Sequence, residues 1–136
     1  MINKKLIFNS IVFYFFVLFF YAAYVKGSDR SLFIQQMNQS PLLPEFLLDF
    51  ISIIIPLIEI IICILLVIKS TRLLGILLSF TLMSIFTIYL IFLVTAYTYN
   101  IPCACGGILG NLGYPIHISF NLFSTVLAFI AIKIYK

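Results

Sequence analysis

Four apolar runs, each separated from the next by a short polar stretch, divide the chain. They cover about residues 6–25, 46–68, 73–97 and 114–134. A hydrocarbon core about 30 Å thick takes about 20 helical residues to cross, so each run is long enough to span a bilayer. Inside lipid, backbone N–H and C=O groups have no water to bond, and a helix pairs them within one segment. The runs therefore predict an all-α, integral membrane four-helix bundle, built as a single domain over residues 1–136. Pro56 lies inside the second run, where it removes an amide donor and predicts a kink or a loosened turn.

The stretch between the first two runs, about residues 26–45, has a pattern of its own. Ser28 or Asp29 can cap a short helix over about residues 30–38, with Leu32, Phe33 and Met37 as its apolar face. Pro41 and Pro44 then end it. This predicts a helix lying on the membrane surface over the outer end of the bundle, against the plainer alternative of a partly ordered loop.

Composition leaves little choice of class. Hydrophobic residues make up 64% of the 136 and charged ones only 9%, where a soluble domain carries about 25% charge. A soluble chain of this length has too little interior to hide so much apolar surface. The net charge of +4 does not point to nucleic acid, because the basic residues sit at the ends of apolar runs and form no stripe. Lys4 and Lys5 before an apolar stretch resemble the start of a secretory signal. The stretch is too long and too aromatic for one, and no clean small-x-small site follows it, so it is expected to stay as a span.

Charge also predicts orientation. Lys4, Lys5, Lys69, Arg72, Lys133 and Lys136 flank one side, and only Lys26 and Arg30 the other. Under the positive-inside rule the richer side is cytoplasmic. The expectation is a multi-pass protein of the cell inner (cytoplasmic) membrane, with both termini cytoplasmic and the stretch between the third and fourth runs extracytoplasmic.

That outer stretch carries the strongest chemical signal, Ile101-Pro102-Cys103-Ala104-Cys105-Gly106-Gly107. Outside the cytoplasm, paired thiols are normally oxidised or engaged in exchange. A bridge between Cys103 and Cys105 closes a small ring that adds little stability as a staple, whereas a strained disulfide is a labile oxidant. Pro102 stiffens the approach, and Gly106 and Gly107 let another backbone come close. Two alternatives stay open: a tight turn with two small apolar residues, or half of a metal site. One His and one further Cys are too few for the second, and no metal is expected. That further residue, Cys63, lies within the second run and reads as packing.

Three polar residues within the runs complete the candidates. Glu59 is the one acid deep in an apolar run, three residues after Pro56. A carboxyl at membrane depth is costly and normally faces the bundle interior with a partner or a function. An interhelical hydrogen bond and a functional role are both open for it. His117 and Asn121, four residues apart, share one face near the outer end of the fourth run. His117 can serve a cysteine thiol as a base, or bond a loop carbonyl.

The Pro56–Glu59 element, the Cys103-Ala104-Cys105-Gly106-Gly107 loop and the His117/Asn121 pair resemble the MauE branch of the DoxX-like membrane proteins. The resemblance covers nearly the whole chain, with its specific motifs in the final third. It implies a four-helix bundle tied to redox processes outside the cytoplasm. In the namesake methylamine utilization system the protein is linked to maturation of methylamine dehydrogenase, whose small subunit is rich in disulfides. The chain is also similar in outline to quinone-linked disulfide generators such as DsbB and the vitamin K epoxide reductases. Those use two cysteine pairs where this chain has one plausible pair, so a quinone is an open expectation and no cofactor is assigned.

The function expected is a membrane component of extracytoplasmic thiol-disulfide exchange, or of disulfide maturation of a partner. Cys103 and Cys105 would be the redox pair, with His117 assisting proton transfer. Asn121, Glu59, Pro56, Gly106 and Gly107 would support them. Besides membrane lipid, a thioredoxin-like or disulfide-containing extracytoplasmic protein is the expected partner. Two rivals are a small proton-coupled transporter using Glu59 and a non-catalytic membrane assembly factor.

Overall fold

In the computed structural model the four runs are four helices: α1 (Lys4–Ser28), α2 (Glu45–Val67), α3 (Arg72–Ala96) and α4 (Tyr114–Tyr135). The structure describes residues 3–31, 34–35, 44–96 and 114–135. All four helices are long and apolar enough to cross a membrane. Asn3 caps α1, its side-chain oxygen accepting from the Lys5 amide at 3.0 Å. A single 3-10 turn, Lys69–Thr71, joins α2 to α3, and so tight a connection sets the two antiparallel.

Each helix packs on its neighbours in sequence, and α1 closes the ring against α4. One end of this bundle, here the terminal end, holds the start of α1, the α2–α3 turn and the end of α4. There the Phe8 and Tyr135 rings lie 5.3 Å apart, and Arg72 Nη1 donates to Asn9 Oδ1 at 3.1 Å. The opposite, loop end joins α1 to α2 and α3 to α4.

Inward faces follow helical spacing. On α1 the buried stripe is Phe8, Ile11/Val12, Phe15, Phe19, Ala22/Ala23 and Lys26. On α2 it includes Leu48, Ser52, Pro56, Glu59, Ile62/Cys63 and Leu66. On α4 it runs His117, Asn121, Ser124, Ala128 and Ala131. Large apolar residues such as Phe13, Phe46, Ile88 and Phe123 point outward, as a surface in lipid should. Gly75 of α3 faces Leu66 so closely that an added Cβ would lie 2.8 Å from its Cδ2, which lets α2 and α3 approach there.

Three sequence expectations take a definite form. The α2 helix runs unbroken through Pro56, so the proline costs it a hydrogen bond without ending it. Arg30, Ser31, Ile34 and Gln35 are helical, in the stretch predicted to hold a surface helix; Leu32, Phe33 and Met37 lie outside the described residues. Lys26, expected in the first outer loop, belongs instead to α1, which continues to Ser28. The reason lies across the interface, in Glu59.

Candidate functional site

Lys26 and Glu59 form a buried ion pair between α1 and α2, Nζ donating to Oε1 at 2.5 Å. Their side chains are 3% and 1% exposed, so both charges are out of solvent. Helix geometry brings them together. Cα–Cβ bonds tilt toward a helix's own N-terminus. Lys26, near the end of α1, therefore leans into the bundle, and Glu59 on the antiparallel α2 leans back toward the loop end. The Phe86 ring of α3 lies 5.7 Å from the ammonium and adds a favourable aromatic face.

The α4 residues meet this pair across a cavity of about 40 Å³, whose lining includes Glu59, His117, Asn121, Ala22 and Phe86. The structure thus brings Glu59, His117 and Asn121 together from two helices, with Lys26 behind Glu59. His117 and Asn121 are buried, one turn apart on α4. Pro56 stands one turn above Glu59 on the same buried stripe. Cys103, Cys105, Gly106 and Gly107 lie outside the described residues, in the connection from α3 to α4 at the loop end. That connection enters α4 at Tyr114, three residues before His117.

Not every buried polar group belongs to this site. On α3, Ser79 and Thr87 donate to their own helix's carbonyls of Gly75 and Met83, at 2.8 and 2.7 Å. Hydroxyls that bond back to residue i−4 are satisfied within the helix and need nothing from outside. The Tyr14 and Ser124 hydroxyls pair at 2.7 Å across α1 and α4. The cavity cluster differs: Glu59 Oε2 and Asn121 Nδ2 have no hydrogen-bond partner among the described residues. Buried polar atoms are almost always bonded, so these two stand out among the described residues. Cys63 is separate from the cluster's chemistry, a buried thiol donating to the Phe16 carbonyl at 3.7 Å.

Sequence reasoning missed Lys26. It counted the residue among loop charges because it follows the apolar run. The signal was present in the charge list. An acid inside a span calls for a base within reach, and Lys26 is the basic residue bordering the run that precedes Glu59 in the chain.

A second ion pair ties the same end together from outside. Arg30 Nη2 donates to Asp49 Oδ1 at 3.3 Å and its Nε to Ser52 Oγ at 2.9 Å. It fixes the departure of the chain from α1 beside the first turns of α2.

The family model described as "Methylamine utilisation protein MauE" matches residues 4–134. No curated protein and no solved structure matched. The match takes in all four helices, and the chain belongs to the MauE family.

Proposed function

We propose that this member of the MauE family is the membrane component of a thiol-disulfide exchange system, acting through Cys103 and Cys105 on an extracytoplasmic protein partner. The observation that carries the reading is the polar cluster at the loop end. His117 and Asn121 sit buried at the start of α4 and share a cavity with Glu59 of the ion pair, on the helix into which the cysteine-bearing connection leads. Buried polar groups at membrane depth are costly and normally serve a function.

In the exchange, a thiolate of one protein attacks a disulfide of the other, a mixed disulfide forms, and the second thiol of the attacking protein resolves it. Two electrons and two protons pass between the pairs. The direction follows from the two reduction potentials. His117 would take up and return the thiol proton as a general base and acid. Glu59, held by Lys26, would keep the α4 face polar and fixed, with Asn121 and Pro56 as supporting residues. Gly106 and Gly107 would let the partner's backbone approach the pair.

The proposed orientation places the termini in the cytoplasm and residues 97–113 outside the inner membrane, on the six-to-two distribution of basic residues. The pairing in the membrane sharpens that count. Lys26, one of the two basic residues against the rule, is neutralised by Glu59 and leaves Arg30 alone on that side. The same pairing weighs against a proton-coupled exporter, because the carboxylate that would bind a cationic substrate already holds a cation.

The test is mixed-disulfide capture in native membranes. Cys105→Ser or Cys103→Ser, with the other thiol intact, should accumulate a reductant-sensitive adduct with a second protein. Capture by neither variant would sink the reading, and Ser at both positions with full activity would favour a non-catalytic assembly factor.

A further inference from the structure

The cavity is lined from all four helices and has Glu59 of α2 and Asn121 of α4 in its wall, and Glu59 Oε2 and Asn121 Nδ2 have no hydrogen-bond partner among the described residues. Glu59 Oε2 can only accept when the carboxyl is ionised, and Asn121 Nδ2 can only donate. Both side chains are at least nine-tenths buried, at 1% and 2% exposure, and both line the cavity. A ligand that satisfies both must offer a donor and an acceptor at once and be very small. A water molecule needs about 10–15 Å³ of such space and two to four polar partners. The cavity, at about 40 Å³, has room for at least one. A metal cation suits it less, since the Lys26 ammonium already sits against Glu59 and repels a second cation.

We infer that this cavity is an internal hydration site, in which bound water bridges Glu59 Oε2 to Asn121 Nδ2 and joins the Lys26–Glu59 pair of α1 and α2 to α4. Among the described residues no hydrogen bond joins these two groups, so the water couples α2 to α4 here. His117, which lines the same cavity, lies within reach of that water. The site is a property of the bundle and holds whether or not the loop cysteines exchange.

Water-edited solid-state NMR on 15N-labelled protein in lipid bilayers reads the site directly. The Asn121 side-chain amide, identified by the signal that Asn121→Leu removes, should receive polarisation from water despite its burial. Ala22 lines the cavity and carries no polar group, so Ala22→Leu should abolish the transfer while the Lys26–Glu59 pair remains; Ala22→Val serves if the larger residue prevents folding. In a cycle of Glu59→Gln, Asn121→Leu and the double variant, the two positions should couple by about tenfold in the unfolding equilibrium constant, though no direct bond joins them. An Asn121 amide with no water transfer in the unaltered protein would overturn the inference. Transfer undiminished by filling the cavity would overturn it too.

Discussion

The two ends of the bundle solve the same packing problem with opposite materials. At the terminal end the four helices meet through Phe8, Ile11, Val12, Leu66, Ile76 and Ala131, all buried and apolar. The buried Ser79 hydroxyl there is satisfied by its own helix, and Arg72 bonds Asn9 and the Leu66 carbonyl. At the loop end the interior holds a lysine, a glutamate, a histidine and an asparagine around a small cavity. Lipid is as apolar as leucine, so neither end gains from a hydrophobic drive between helices and both rely on packing and polar contacts. The terminal end is what the fold alone requires. A buried ion pair stabilises a protein weakly once its desolvation is counted, and well-packed apolar residues often do as well. The loop end therefore carries more polarity than stability explains, and it is the end at which the proposed exchange is placed.

That contrast can be broken at its strongest point first. Glu59→Ala leaves the Lys26 ammonium buried without its carboxylate and should cost about 3–5 kcal/mol, read by SDS titration of the purified protein in mixed micelles. Lys26→Met combined with Glu59→Leu should recover most of that stability while removing function, which separates the two roles of the pair. At the terminal end, Leu66→Ala should cost about 2–3 kcal/mol, near the bottom of the range for such truncations because lipid, not water, is the reference for its methyl groups. It should leave function intact wherever the protein still folds.

Smaller effects sharpen the boundary between the ends. Tyr14→Phe removes the hydroxyl bonded to Ser124, midway along the bundle, and should cost about 0.6 kcal/mol, the average for interhelical hydrogen bonds in a membrane. Asp49→Asn weakens the Arg30 pair on the exposed rim. With Asp49 largely in solvent, the loss should stay within about 0.5 kcal/mol and shrink further as salt is added.

The fold was largely legible in the sequence because a lipid environment makes length and hydropathy decisive. Four largely apolar runs of 20 or more residues admit few other structures. Facing was harder to read. The runs are apolar on nearly every side, so periodicity alone does not say that Phe15 is buried while Phe13 is exposed. The rare polar residues supply that information: Glu59, His117 and Asn121 stood out because lipid tolerates such groups so poorly. Lys26 was hidden by the opposite circumstance, since a lysine just past an apolar run reads as an interface anchor. Only the partner across the α1–α2 interface reveals that the helix continues and draws it inward. The cavity between Glu59 and Asn121 depends on the relative rotation of α2 and α4, which no single-chain pattern encodes.

The most direct measurement of the central claim is the redox state of the loop pair in membranes. Thiols are alkylated with a mass-tagging reagent after equilibration across a series of dithiol/disulfide buffers, and Cys63, buried against the Phe16 carbonyl, serves as the reference that should not respond. Cys103 and Cys105 are expected to lose and regain their tags together, in one two-electron transition. Two loop thiols that stay fully reactive at every potential, or never react at any, would contradict the account.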